Sequence, residues 1–289
     1  MTRLIDWAEG IENTVDLRLF EINAVNSAEY KNSEKTFRQY LDQSVEDYFG
    51  QSKMLAWPAR FEEFYESARE YLQGDILELG AGASKFSALL TRVQEVHSVT
   101  SVEFSETMLK RIAPRVFRHF DGDLTKARFI ISDMHDVENF SDKKYDAIVF
   151  HSALHHVFLP FAQIRKLEGI LKPGGSILCF SEPCTATIAL PTRANRAWVL
   201  GQKRHQMVGN NENYYSARDY RDFFTTLFDF EFQYLLPSPP KLPRRLKLND
   251  VLLYLRRRLL WSLRFLGIDR TVWPTPLSLS FRATARSPR

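Results

Sequence analysis

The chain is poor in cysteine and has no long apolar run. Cys179 and Cys184 are the two cysteines among 289 residues, too few for a disulfide framework, which favours a reducing compartment. No stretch of about eighteen apolar residues occurs, so no segment is predicted to span a bilayer. The first ten residues lack the apolar core of a signal peptide. We therefore expect a cytoplasmic protein.

Positive charge is concentrated in the C-terminal part of the chain. The net charge is +4, but residues 237–276 carry nine lysines and arginines against Asp250 and Asp269. The chain before residue 237 is net acidic. The basic character of the chain therefore belongs to its C-terminal quarter and not to the part that precedes it.

Residues 75–82, Asp-Ile-Leu-Glu-Leu-Gly-Ala-Gly, combine an apolar run with two spaced glycines. This pattern predicts a strand and a tight turn, and residues 85–92 predict a helix directly afterwards. Glycines let a ligand approach the backbone, and a helix N-terminus offers free N–H groups. Glu103 ends the next apolar run about twenty residues later, where a ribose-binding carboxylate is expected. The pattern indicates a cofactor that contains a nucleoside.

Two common nucleotide-binding motifs do not fit this turn. The dinucleotide fingerprint needs a third glycine where the chain has Lys85, and no P-loop Gly-Lys-Ser/Thr is present. Two glycines after an acid, Glu78, instead resemble motif I of the class I S-adenosylmethionine (SAM)-dependent methyltransferases. SAM has no phosphates and carries a cationic sulfonium, for which Glu78 would supply an acidic environment. Ser84 departs from the family, many of whose members have glycine there.

The resemblance covers roughly residues 60–235, where five motifs stand in the family's order. Within the family, this part of the chain resembles the methyltransferase type 11/12-like domain. Segments 101–109, 129–134, 145–157 and 171–183 resemble the second to fifth strands with their adjoining loops. The family implies Glu103 at the ribose hydroxyls, Met108 and Met134 beside the adenine, and Asp133 at its amine. It implies SAM as cofactor, S-adenosyl-L-homocysteine (SAH) as product, and no metal. The implied cofactor-binding residues are Glu78, Gly80, Gly82, Glu103, Met108, Asp133, Met134 and His151.

Three histidines follow the predicted fourth strand, beside the expected position of the methyl group: His151, His155 and His156. Imidazole is suited to taking a hydroxyl proton near neutral pH. We take His156 as the first candidate base and His155 as the second, while helix capping or packing by the His-His pair remains the alternative. Further candidates are His205, Glu182, Tyr214 and Tyr215. Cys184 lacks the sequence context of a nucleophilic cysteine.

Alternating strands and helices in the centre of the chain predict a parallel sheet with helices on both faces. The expected fold is α/β and Rossmann-like: a doubly wound, seven-stranded mixed sheet whose last strand is antiparallel. Strands are predicted near 75–79, 98–103, 128–132, 145–150, 175–181, 230–236 and 277–285. Residues 1–73 are predicted to form an N-terminal helical cap. Residues 74–289 form the methyltransferase domain, with insertions at about 184–215 and 237–275.

The second insertion contains an amphipathic segment, residues 249–266, that is predicted to be helical. Leu252, Leu255, Leu259, Leu263 and Leu266 share one face, and Arg257 and Arg264 lie opposite. The helix is either a lid packed on the core, or an interfacial helix that contacts an anionic membrane or a lipid-linked substrate. Nucleic-acid binding is a third interpretation, which the leucine and aromatic content disfavours.

The predicted function is transfer of the SAM methyl group to a small-molecule, sugar or lipid-linked acceptor, with oxygen favoured as the methylated atom. Two alternatives remain. One is an RNA or protein methyltransferase that uses the basic insertion, and the other is a catalytically silent scaffold. The sequence names neither the acceptor nor the oligomeric state.

Overall fold

The computed structural model describes residues 3–5, 57–157, 159–184, 188–189, 215–235, 254–255, 258–259, 262, 272–273 and 277–286. Most of the predicted helical cap, most of both insertions, His205 and Tyr214 therefore lie outside the described residues. The described strands are β1 (Arg3–Ile5), β2 (Gly74–Leu79), β3 (Val96–Glu103), β4 (Ala127–Ile131), β5 (Tyr145–His151), β6 (Leu171–Cys184), β7 (Ile188–Ala189), β8 (Phe230–Leu235), β9 (Val272–Trp273) and β10 (Leu277–Ala285).

The main sheet has the strand order β1-β4-β3-β2-β5-β6-β10-β8 within the described ranges. Strands β4, β3, β2, β5 and β6 are mutually parallel. Strand β10 runs antiparallel to both β6 and β8. The predicted seven-stranded mixed sheet with its antiparallel last strand is confirmed. The order reverses at β2 and β5, and this is where ligands bind in open α/β sheets, outside the carboxyl ends of the strands.

Helices cover both faces of the sheet. They are α1 (Trp57–Ala68), α2 (Lys85–Leu90), α3 (Ala113–Phe120), α4 (Pro160–Glu168) and α5 (Ala217–Thr225). Alternate residues of each strand face opposite sides, so one face packs on α1–α3 and the other on α4 and α5. For example, Leu178 and Phe180 of β6 face α1–α3, whereas Ile177 and Cys179 face α4 and α5.

The N-terminal segment contains a strand that the helical prediction for residues 1–73 did not include. Arg3–Ile5 form β1, which pairs antiparallel with residues 129–131 of β4 and adds an eighth strand to the sheet edge. A three-residue strand cannot display the alternation by which strands are recognised in sequence, because its pairing is set by the sheet it joins. The helix predicted before the first strand is present as α1.

The two insertions touch each other through their backbones. Ile188–Ala189 of the first insertion pair in parallel with Val272–Trp273 of the second, as a separate two-stranded sheet. Within the second insertion, residues 254–255, 258–259 and 262 are helical. In the portion of the chain that the structure describes, we find no helix that is long and apolar enough to cross a membrane.

Candidate active site

The glycine turn after β2 leaves its backbone open at one point. Gly80 and Gly82 have φ angles of +68° and +52°, in the left-handed region that glycine adopts without strain. A Cβ atom added to Gly80 would lie 2.8 Å from the Cβ of Ala153 and 3.9 Å from the Sδ of Met134, whereas one added to Gly82 would have no atom of the described residues within 4 Å. The loop after β5, Met134 and the turn therefore meet around Gly80, and none of the described residues fills the space beside Gly82.

Glu103, at the end of β3, is bonded to this turn. One carboxylate oxygen, Oε2, accepts the N–H of Gly82 at 2.8 Å, and Oε1 accepts the N–H of Ser105 at 3.0 Å. The side chain is buried. Parallel pairing of β2 with β3 brings together two residues that are 21 positions apart. The predicted ribose carboxylate thus lies beside the open glycine of the turn.

Glu78 lies beneath the turn, on the face that packs against α2. Its Oε2 accepts hydrogen bonds from the N–H of Ser87, at 3.0 Å, and from the hydroxyl of Ser87, which in turn accepts from Ser101 at 2.6 Å. Burial raises the pKa of Glu78 to about 7, although the bonds from Ser87 act in the opposite direction. The carboxyl group is therefore close to half-protonated at neutral pH.

The raised pKa of Glu78 predicts a stability that falls with rising pH. The folded state binds this proton with a pKa of about 7, whereas 4.5 is the ordinary value, so the contribution is present below about pH 4.5 and lost as pH rises through 7. Between pH 5 and pH 8, the free energy of unfolding should fall by about 2–3 kcal/mol more in the wild type than in Glu78→Gln. Urea unfolding at both pH values measures this difference. Equal pH dependence in the two proteins would contradict a buried, protonatable Glu78.

Asp133 and Met134 follow β4 and approach the turn from the other side. The Oδ1 of Asp133 accepts the N–H of His135 at 2.9 Å and lies 2.6 Å from the Nδ1 of His135. Burial alone would raise the pKa of Asp133, but these contacts with His135 outweigh it, so the pKa lies below its usual value. The carbonyl of Met134 accepts from the Nε2 of Gln163 at 2.6 Å, which fixes the backbone beside Gly80.

Met108 begins the helical turn after β3 and is buried in the core on the α1–α3 face of the sheet. Its N–H donates to the hydroxyl of Ser105 at 3.2 Å. Ser105 also donates its N–H to Glu103, so Met108 and Glu103 are held by the same short loop. The structure thus brings the predicted adenine-side and ribose-side residues to one end of β2–β4.

His151 is the last residue of β5 and lies among aromatic side chains. It therefore stands at the crevice outside the carboxyl ends of the strands, where a ligand is expected. Its ring centroid lies 4.7 Å from that of Trp57 and 5.9 Å from that of Phe86. Burial lowers the pKa of His151 to about 4, so the ring is neutral at pH 7. Its Nε2 is buried and has no hydrogen-bond partner among the described residues. Trp57 was missed by the sequence analysis, because a residue that begins a helix before the motif region carries no motif of its own.

Ser84 is the other buried group at the crevice with an unpaired polar atom in the described part of the chain. It has φ +54° and precedes α2, and its Oγ accepts and donates no hydrogen bond. Glycine is common at this position in the family that the sequence resembles, and the left-handed backbone conformation accounts for that preference. Two orphaned buried polar atoms and an open glycine fit a polar ligand seated against the turn.

The loop after β5 contains the two candidate bases, His155 and His156, which differ in burial and in their contacts. His155 is buried, and its Nδ1 lies 2.9 Å from the Oε2 of Glu182, a fully buried carboxylate in β6. His156 is half-buried, and its ring centroid lies 4.0 Å from that of His155. Glu182 also accepts the N–H groups of residues 153, 154 and 155, at 2.8, 3.0 and 3.2 Å. A carboxylate therefore orients His155.

One of the further candidates, Tyr215, has a structural role. The hydroxyl of Tyr215 donates to the carbonyl of Val157 at 3.0 Å, and burial raises its pKa to about 12. Such a phenol holds its proton and does not act as a base near neutral pH. Cys184 is fully buried, which agrees with the expectation that it is not a nucleophile.

Residues 77–179 match a family model described as a methyltransferase domain. The uncharacterized methyltransferase Rv0089 of Mycobacterium tuberculosis is 26% identical over 125 residues. That alignment covers 43% of this chain and 56% of the relative, so the chain spans little more than half the length of the curated relatives it matches.

Solved structures of low sequence identity share the fold. The YcgJ protein of Bacillus subtilis superposes with a TM-score of 0.50 at 14% identity, covering 79% of this chain and 98% of YcgJ. A DhpI–SAH complex superposes with a TM-score of 0.51 at 14% identity, covering 91% of this chain and 98% of DhpI. The strand order and the glycine turn agree with this match. Residues 77–179 of the chain are therefore similar to a methyltransferase domain, and the chain has the fold of these solved structures.

Proposed function

We propose that this protein is a SAM-dependent methyltransferase that acts on a small-molecule, sugar or lipid-linked acceptor, with oxygen as the favoured methylated atom. The observation that carries the proposal is the open backbone at Gly82 with the Glu103 carboxylate bonded to it. Bound SAM supplies an electrophilic methyl group on a positively charged sulfonium. The SAH in the DhpI complex belongs to that protein, but its fold is the one found here.

Each predicted residue has a task that its position supports. Glu103 would bind the ribose hydroxyls from its place beside Gly82, and Asp133 and Met134 would flank the adenine. His151 stays neutral at pH 7, so its ring does not repel a cationic cofactor, and its unpaired Nε2 offers a hydrogen bond inside the crevice. The ring of Trp57 packs on His151 and would shield that end of the site from water. Positioning in a dry site is the main contribution expected of the protein.

Contact with a buried carboxylate favours His155 over His156 as the base. The sequence ranked His156 first, but in the structure it is His155 that contacts a carboxylate, and a base oriented by a carboxylate is the arrangement that proton abstraction needs. His156 contributes its N–H to the same loop, bonded to the carbonyl of Ala153 at 3.0 Å. We retain His156 as the second candidate.

The cofactor assignment predicts a measurable loss in Glu103→Ala. The substitution removes the ribose acceptor and leaves the N–H groups of Gly82 and Ser105 unpaired. Isothermal titration calorimetry should detect SAH binding to the wild type and no NAD binding, with SAH affinity weakened by about 1–3 kcal/mol in Glu103→Ala. Asp123→Ala, which changes another carboxylate that accepts a backbone N–H, is the control and should bind as the wild type does. Unchanged SAH affinity in Glu103→Ala would contradict the ribose assignment.

The acceptor class is tested with methyl-labelled SAM and three separate fractions of cell extract: deproteinised metabolites, lipids, and RNA with protein. Label in the metabolite or lipid fraction supports the proposal. Label in RNA or protein would instead support the alternative in which the basic insertion binds a macromolecule. Absence of SAH binding would favour the silent scaffold.

We further propose that the segment 249–266 contacts an anionic membrane or an amphiphilic acceptor. Leu255 and Leu259, one helical turn apart, are 55% and 61% exposed, and the exposed Arg258 lies between them. A lid packed leucine-inward would bury these two residues. Their exposure beside basic residues supports the interfacial interpretation.

A further inference from the structure

Glu182 is surrounded by hydrogen-bond donors on both of its oxygens. Its Oε1 accepts the N–H groups of Ala153 and Leu154, and its Oε2 accepts the N–H of His155 and contacts the Nδ1 of the same residue. Capping the loop needs acceptors for the three backbone donors alone. The fourth contact, to the imidazole, goes beyond capping, because it joins the carboxylate to a ring nitrogen of His155.

A β-bulge directs Glu182 toward the loop. Along β6, strict alternation would place Glu182 on the same face as Leu178 and Phe180, against α1–α3. Instead, Cys179 pairs with Phe281 and Glu182 pairs with Leu279, so that two residues of β6 oppose Ser280 alone. The extra residue reverses the face, and Glu182 points to the side of α4 and α5, where residues 153–155 lie.

This arrangement needs two non-glycine residues in the left-handed region. Ser181, within the bulge, has φ +55°, and Ser152, which precedes the bonded loop, has φ +52°. The N–H of Ser152 donates to the carbonyl of Phe180 at 2.8 Å, so the two strained positions are adjacent. Strain of this kind collects at functional sites, and here it accompanies the contact between Glu182 and the loop.

We propose that Glu182 is a positioning residue that holds the Nδ1 proton of His155, which makes Nε2 the nitrogen that takes the acceptor proton during the reaction. The inference rests on the proposed function, which it deepens by assigning the base to His155. Burial would raise the pKa of Glu182, but His155 and the backbone donors outweigh it and lower the pKa, so the carboxylate stays ionised.

The proton balance follows from this geometry. The O–H bond of the acceptor breaks and its proton passes to Nε2 of His155. The electron pair that is freed on the oxygen would form the new bond to the methyl group, and the electron pair of the broken S–C bond would return to sulfur. His155 becomes an imidazolium ion, which the ionised Glu182 stabilises through the Nδ1 proton.

The test begins with NMR of the intact protein labelled with ¹⁵N-histidine, which needs neither cofactor nor acceptor. Spectra of His155→Gln and His156→Gln assign the two rings. We expect the wild-type His155 to carry its proton on Nδ1. A proton on Nε2 in the neutral ring would overturn the proposal, and this result does not depend on any variant of Glu182 being stable.

Glu182→Gln is the second arm. Glutamine has one acceptor oxygen, so its NH₂ group must face donors that the carboxylate accepts, and the preference of His155 for the Nδ1 proton should be lost. The ring of His156, 4.0 Å away, is the internal control, and its spectrum should stay unchanged. An unaltered His155 tautomer in folded Glu182→Gln would contradict the assignment.

The rate of label transfer from SAM into the deproteinised metabolite and lipid fractions is the third measurement. It distinguishes a role of Glu182 in positioning His155 from a role in capping the loop alone. We expect a loss of about a hundredfold in His155→Gln and about tenfold or more in Glu182→Gln, with SAH affinity within about threefold of wild type. His97→Gln, which changes an exposed histidine near the start of β3, is the control and should transfer label at the wild-type rate. A larger loss in His156→Gln than in His155→Gln would overturn the proposal. If the wild type transfers no label, the proposed function fails separately, and the NMR result still decides the role of Glu182.

Discussion

Gly82→Ala should lose SAH binding while keeping the fold. The new Cβ would meet no atom of the described residues within 4 Å, so the cost to the free energy of unfolding is the strain of alanine at φ +52°, about 1–2 kcal/mol. The same Cβ would occupy the space beside Glu103 through which we propose that the cofactor approaches the backbone. We expect SAH affinity to fall about a hundredfold or more, which is about 2.7 kcal/mol. Calorimetry and urea unfolding measure the two effects separately.

Two other glycines serve as controls for this prediction. Gly174 has φ +75° and equally open space, but it lies in the turn within β6, so Gly174→Ala should cost similar stability and leave SAH affinity unchanged. Gly80→Ala places a Cβ 2.8 Å from that of Ala153 and should lower both stability and affinity, with overpacking adding about 1–3 kcal/mol. Wild-type SAH affinity in a folded Gly82→Ala protein would show that the cofactor does not approach the turn here.

The cofactor side of the site could be predicted because its signals are local. An apolar run, two glycines and a helix start stand in one short segment, and β2 begins one residue before the predicted strand. The second acid is recognisable because it ends the neighbouring strand. Parallel pairing then requires Glu103 and Gly82 to meet, and the hydrogen bond between them is the consequence.

The catalytic side could not be ranked from the sequence, because its determinants are non-local. His155 and His156 are adjacent and chemically identical, and the difference between them is contact with Glu182, 27 residues further on. That contact depends on a bulge of one residue within β6, which leaves no mark in the hydrophobic pattern. With strict alternation, Glu182 would face the opposite side of the sheet, so its contact with a histidine could not be predicted from the hydrophobic pattern.

The second insertion should bind anionic vesicles. Its exposed leucines should contribute most of the binding free energy that persists at high salt. Leu255 and Leu259 are more than half exposed, and burying that surface in an interface is favourable by about 1 kcal/mol for each residue. The four arginines at positions 256, 257, 258 and 264 add electrostatic attraction to anionic lipid, at about 1 kcal/mol each near the surface, which salt screens. Apolar burial persists at high salt, so the two contributions can be separated.

Co-sedimentation of the intact protein with neutral and with phosphatidylserine-containing vesicles, at low and high salt, measures both contributions. We expect binding to anionic vesicles that weakens with salt, and a loss of about thirtyfold in Leu255→Ser/Leu259→Ser, which corresponds to about 2 kcal/mol. Leu159→Ser/Leu227→Ser is the matched control, because these leucines are 62% and 60% exposed on the face of α4 and α5 and should not affect binding. Equal loss in both double variants would indicate general surface hydrophobicity. If the wild type binds no vesicle, the exposed leucines do not serve a membrane, and the interfacial proposal should be abandoned in favour of a soluble acceptor.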